Sequence, residues 1–221
     1  GAYASVRVLA ADRVVPIPDG VSDEVAATLM LKGLTAHYLI HDSHAVQAGE
    51  TALVHAAAGG VGLLLGQWLA AKGVTAIGTA GGAAKCGLAA AHGYAHVIDY
   101  DTQDFAAEVT RLTDGRGVDV VYDGVAEATW RGSMAALARR GSYVCFGQSS
   151  GPITGFTFAD LAAKSAKATR PVLFHYIADP AELHARAADL FAAVARGEVR
   201  SEPRQSFPLA AAATAHAALE A

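Results

Sequence analysis

The run Thr51-Ala52-Leu53-Val54-His55-Ala56-Ala57-Ala58-Gly59-Gly60-Val61-Gly62 decides how this chain folds. Its first half is apolar and strand-like, and it ends in a turn of small residues. Leu63 to Lys72 then carries a helical pattern, with Gly73 just past its end. Small residues let the turn be tight and let a ligand's phosphates approach the backbone. The free amides at the helix start, with the positive end of the helix dipole, face that negative charge. In G-x-G-x-x-G spacing the positions are Ala57, Gly59 and Gly62, so alanine replaces the first glycine. Alone, such a turn also suits an ordinary strand-to-helix connection. Between a strand and a helix it reads as a dinucleotide site.

Outward from this turn the chain alternates regularly. Strands are expected at 51–56, 74–79, 96–100, 118–123 and 142–146, with helices at 61–72, 83–92, 104–113 and 127–138. Single helices between evenly spaced apolar strands imply right-handed crossovers, and so a doubly wound, Rossmann-type parallel sheet of the α/β class. Upstream, Pro16 to Gly20 is a turn and Ser22 caps a helix that carries Asp23 and Glu24 in its first turn. Downstream come a short helix near 158–167, a strand at 169–176, and a long helix opened by Pro180 and closed by Gly197.

Bulk properties narrow the function. Of 221 residues, 52% are hydrophobic and 17% charged, which suits a buried fold and excludes disorder. A formal net charge of -4 gives no electrostatic case for nucleic acid or an anionic membrane. No apolar run is long enough to span a bilayer. Cys86 and Cys145 have no paired spacing, which points to a reducing, cytoplasmic setting and away from a cysteine zinc site. The chain opens at Gly1 without methionine and stops at Ala221 within a helical pattern, so the expectation is a sequence cut at both ends.

The choice of dinucleotide turns on charge. NAD-selective sites place an acid about twenty residues past the Gly-rich turn to hold the adenosine ribose. Here no acidic residue lies between Glu50 and Asp99. The second strand ends instead at Gly78-Thr79-Ala80-Gly81-Gly82, followed by Lys85. Absence of the carboxylate removes repulsion toward a 2′-phosphate, and Lys85 supplies a countercharge, which favours NADPH. Tyr100 ends the third strand on the same edge, either closing over the adenosine or sitting there as a half-buried tyrosine.

Four segments together resemble the zinc-free, zeta-crystallin-like quinone oxidoreductases of the medium-chain dehydrogenase/reductase superfamily. They are Leu31 to Ala36, His55 to Gly62, Val118 to Asp123 and Arg170 to Tyr176. The resemblance covers nearly the whole chain in one register. It implies reduction of quinones or other activated alkenes by NADPH, and a homodimer by analogy. It gives Gly59, Gly60, Val61 and Gly62 the pyrophosphate, and Lys85 and Tyr100 the adenosine 2′-phosphate end; Thr79, at the end of the second strand, is expected to be a further cofactor contact. Thr35, Phe146, Gly147, Phe174, His175 and Tyr176 would flank the nicotinamide. Zinc-dependent relatives carry a ligating cysteine near Lys32, so no metal is expected.

On this resemblance, residues 1–22 are a remnant of a GroES-like catalytic domain, 23–200 the NADP-binding Rossmann domain, and 201–221 an incomplete return segment. No catalytic acid or base is assigned, because the cofactor carries the hydride and solvent can supply the proton. An enoyl or alkenal reductase of the same superfamily and a non-catalytic NADPH-binding module stay open as alternatives.

Overall fold

The computed structural model describes residues 3–220. Gly1, Ala2 and Ala221, at the ends of the 1–22 and 201–221 segments, lie outside them. The strands are β1 (Thr51–Val54), β2 (Thr75–Ala80), β3 (His96–Asp99), β4 (Val118–Asp123), β5 (Leu137–Cys145) and β6 (Lys167–Thr169). They form one 6-stranded sheet in the order β3-β2-β1-β4-β5-β6. Every pairing is parallel. The order reverses between β1 and β4, which opens a crevice outside their carboxyl ends. The Gly-rich turn follows β1 at that crevice.

Around the sheet lie α1 (Asp23–Tyr38), α2 (Gly60–Ala71), α3 (Ala83–Ala90), α4 (Phe105–Leu112), α5 (Trp130–Ala136), α6 (Phe158–Ala162), α7 (Leu173–Tyr176), α8 (Pro180–Ala195) and α9 (Ala212–Glu220). Side chains alternate between the faces of the strands. Ala52, Val54, Val120, Tyr122 and Val144 pack with Leu29, Leu65, Trp68 and Leu190 from α1, α2 and α8. Leu53, Val121 and Tyr143 pack with Val109, Trp130 and Met134 from α4 and α5. Both faces of the central strands are covered, and β1, β2 and β4 are accordingly mostly apolar and buried.

Local chemistry sets the helix ends. The Ser22 hydroxyl accepts from the Val25 amide at 3.3 Å, and Asp104 accepts from the Ala106 amide at 2.8 Å. Pro180 opens α8 behind Asp179, whose carboxylate accepts from the Ala181 amide. Gly33 lets α1 approach α8 closely: a Cβ there would fall 2.6 Å from Leu190 Cδ2.

Three segments depart from the expected pattern. The strand expected at 169–176 is divided into β6 and the helical turn α7, with Pro171 between them. Proline has no N–H for a sheet ladder, so the strand cannot run through it. The helix expected at 127–138 stops at Ala136, because Leu137 already pairs with Val118. β5 then bulges: Val118 faces Leu137 while Val120 faces Ser142, and Arg140 takes a φ of 64°. α6 ends at Ala162, and the Lys164 ammonium donates to the carbonyls of Ala135 and Leu137 near the end of α5.

A single π turn, Leu39–Ser43, prolongs α1 and is not legible in the sequence. Beside it the His37 and His41 rings lie 4.2 Å apart at a tilt of 37°, and both meet Trp68 edge-on. Burial lowers the pKa of both imidazoles, and His41 and Arg186 add to the effect on His37. Buried His55 is lowered by desolvation as well. A histidine whose folded pKa is depressed contributes stability above its unfolded value, and loses it as pH falls toward the folded one. Stability is therefore expected to drop as pH falls below about 6.5, by at most ~1.4 kcal/mol per pH unit per histidine. The measurement is the thermal midpoint against pH, and His37→Gln with His41→Gln should flatten the slope. A midpoint constant below that pH would refute the assignment.

Candidate functional site

The turn after β1 is tied to both neighbouring strands. The His55 amide donates to Tyr122 O at 3.0 Å, and the Ala57 amide to Thr79 O at 2.9 Å. Between them Ala56 takes the left-handed region at φ 54°, unusual for a residue with a side chain. The Gly59 amide returns to Ala56 O at 2.8 Å. Gly62 sits hard against this turn: a Cβ there would lie 2.4 Å from Ala56 O and 2.7 Å from Ala57 O. Only glycine fits. α2 begins at Gly60 with no side-chain cap, so the amides of Gly60, Val61 and Gly62 remain available to an anion.

Beneath the crevice lies a buried polar network. Asp123, fully buried at the end of β4, accepts through Oδ1 from the amides of Val125 at 2.7 Å and Ala126 at 3.0 Å. Its Oδ2 accepts from the hydroxyls of Thr129 at 2.7 Å, Tyr143 at 2.9 Å and Ser133 at 3.4 Å. His55 bridges Ser133 and Thr79, at 2.9 Å on each side. With Ser133 donating to Asp123, a proton on His55 Nε2 satisfies Ser133, and Nδ1 accepts from Thr79. Desolvation keeps the imidazole neutral, opposed by the charge of Asp123. The Tyr143 phenol is held far above its ordinary range by burial, then by that carboxylate.

The network accounts for Thr79. It is buried, and its hydroxyl is committed to His55, so it supports the crevice from below and does not line it. Lys85 is exposed in the first turn of α3, and Tyr100 is 52% exposed. The Tyr100 ring lies over Gly81, where a Cβ would fall 2.8 Å from its hydroxyl. The turn after β2 and the end of β3 thus form one corner. Asp99 belongs to the same corner, accepting from the Gly82 amide at 3.0 Å and the Asp101 amide at 3.1 Å. Counting along the chain places this acid far from the Gly-rich turn, and β2–β3 pairing brings it beside Gly82 at the end of β2.

At the far end of the crevice, Phe146 and Gly147 lie against Gly124, the residue after β4. A Cβ on Gly124 would meet Phe146 Cζ at 3.1 Å, and one on Gly147 would meet Gly124 O at 2.5 Å. Phe174, 70% exposed, and His175 project from α7, while Tyr176 stacks on Tyr38 of α1 at 4.3 Å and 8°. Burial, followed by the charge of Tyr176, pushes the Tyr38 pKa up to about 12. Thr35 is half-buried and spends its hydroxyl on Leu31 O at 2.8 Å. In the sequence Lys32 reads only as a residue that is no zinc ligand; its side chain reaches over Gly60. Sequence reading missed Asp123, although a carboxylate closing an apolar strand is a usable signal, because buried acids are rare unless satisfied.

A cavity of about 480 Å³ lined by Tyr143, Cys145, Gln148, Phe156 and Arg170 opens beside β5 and β6 and includes no residue of the Gly-rich turn. Among the described residues no three His, Cys, Asp or Glu side chains lie close enough to hold a metal ion.

The chain matches the family described as zinc-binding dehydrogenase over residues 60–192. It is 46% identical to a quinone oxidoreductase of Pseudomonas aeruginosa over all of its own length and 68% of that relative. It is 40% identical to a 2-haloacrylate reductase of a Burkholderia species over 98% of its length and 66% of that protein. The crystal structure of Escherichia coli quinone oxidoreductase complexed with NADPH superposes with a TM-score of 0.94 at 41% identity, over 99% of this chain and 68% of that one. Likeness of this extent in sequence and backbone, on a sheet whose crevice carries the Gly-rich turn, places the chain in the quinone oxidoreductase family of the medium-chain dehydrogenase/reductase superfamily.

Proposed function

We propose that this chain binds NADPH across the carboxyl ends of β1 and β4, as part of an enzyme that reduces quinones or related activated alkenes. The observation that carries the reading is the uncapped, glycine-lined start of α2 at the point where the strand order reverses. A solved relative holds NADPH, and relatives named for quinones and for 2-haloacrylate share an electron-poor acceptor. When bound, NADPH supplies the hydride. Gly59, Gly60, Val61 and Gly62 receive the pyrophosphate, and Lys85 and Tyr100 the 2′-phosphate end, with Thr79 supporting them from below. Thr35, Phe146, Gly147, Phe174, His175 and Tyr176 orient the nicotinamide and shield it from water. No side chain here is assigned as acid or base, and solvent provides the proton that completes the reduction.

On the same reading the reaction is zinc-free, residues 23–200 are the cofactor-binding unit, 1–22 belongs to a catalytic domain and 201–221 to a return segment. The two free cysteines suit a reducing, cytoplasmic compartment. The exposed edge strand β6 offers backbone groups to a second copy, which suits a homodimer. Among the described residues no helix is long and apolar enough to cross a membrane.

Fluorescence titration with NADPH and NADH tests the cofactor. NADPH is expected to bind more tightly, and Lys85→Ala to weaken it about tenfold while leaving NADH unchanged. Equal affinity for the two would overturn the 2′-phosphate reading and assign the ribose to Asp99.

A further inference from the structure

Lys32 is exposed on α1, yet its side chain is not splayed into solvent. A Cβ on Gly60 would fall 2.6 Å from both Cδ and Cε of Lys32 and 3.0 Å from Nζ. The ammonium therefore lies across the first residue of α2, at the positive end of that helix. A cation there is electrostatically disfavoured until an anion comes between them. No carboxylate within ion-pair distance neutralises it among the described residues. Nor is α1 free to withdraw it, because the next residue, Gly33, is pressed against Leu190 of α8.

Two positive ends, one a side chain and one a helix, thus converge on a surface that carries no side chain of its own. That arrangement fits a group with more than one negative charge. We infer that Lys32 is the countercharge for the diphosphate of the bound dinucleotide, and that Lys85 deals with the 2′-phosphate alone. The inference rests on the NADPH reading above. It divides labour by position: Lys32 stands at the β1–α2 turn common to every dinucleotide, and Lys85 stands on α3 past the end of β2.

The test is Lys32→Gln, which keeps most of the stem and removes the charge, with Lys32→Arg as the charge-retaining partner. Circular dichroism and melting confirm that each variant is folded. Lys32→Gln is expected to weaken NADPH and NADH alike, by about tenfold, with their ratio unchanged, and Lys32→Arg to restore most of the loss. Adenosine 2′-monophosphate, which has no diphosphate, should bind wild type and Lys32→Gln equally. Raising salt should weaken dinucleotide binding less in Lys32→Gln than in wild type. If wild type binds dinucleotide and Lys32→Gln binds it as well, the inference about Lys32 fails and the NADPH reading survives. A loss confined to NADPH, or an equal loss of adenosine 2′-monophosphate, also overturns it. Wild type binding neither dinucleotide overturns both.

Discussion

Gly62→Ala is expected to weaken NADPH binding about a hundredfold and to lower the thermal midpoint by about 4–12 °C, from a cost on the order of 2–3 kcal/mol. The neighbours a methyl would meet are backbone, not the flexible end of a side chain. A Cβ there would stand 2.4 Å from Ala56 O and 2.7 Å from Ala57 O. Relief requires α2 to slide outward or the turn to open. The turn is held by the Ala57 amide on β2 and the His55 amide on the end of β4, so α2 must give way. Its amides would then no longer point at the crevice. Gly87→Ala is the control, because a Cβ there meets nothing within 4 Å and the residue lies inside α3. That change should be neutral or stabilising by about 0.5–1 kcal/mol. If Gly62→Ala binds NADPH within threefold of wild type and melts within a degree or two of it, the close-packed turn is not what forms the site.

Asp123→Ala should have the largest effect on stability, on the order of 3–5 kcal/mol. Its carboxylate receives two amides and three hydroxyls while fully buried. Removing it strands those donors without water to replace it, and a buried donor left unpaired costs far more than an average hydrogen bond contributes. The effect should reach the crevice too. Gly124 follows directly and supports Phe146 and Gly147, whose amides both bond Asp123 O. Asp123→Asn, which keeps shape and half the acceptors, should lose less. Chemical denaturation of the three proteins gives the answer; Asp123→Ala within 1 kcal/mol of wild type would show that the donors find other partners.

The parallel sheet was legible because its central strands are mostly apolar and are separated by helices of similar length; the strand order, and with it the crevice between β1 and β4, came from the structure. The Gly-rich turn was legible because the need for small residues is local. Asp99 was not, since its place beside Gly82 comes from the pairing of β2 with β3, not from chain distance. Nor was the role of Thr79: a threonine at a strand end reads as a ligand contact until His55 is found beside it.

By itself, then, the amino-acid sequence determined the central strands and helices, the parallel fold and the Gly-rich turn, since each follows from periodicity, capping or the size of neighbouring residues. Tertiary structure alone decided which side chains face the crevice and which support it. It turned Thr79 inward, joined Tyr100 to Gly81, made α7 a helix and laid Lys32 over Gly60. Those outcomes depend on the register of strands and the approach of helices remote in the chain, and no local pattern carries them.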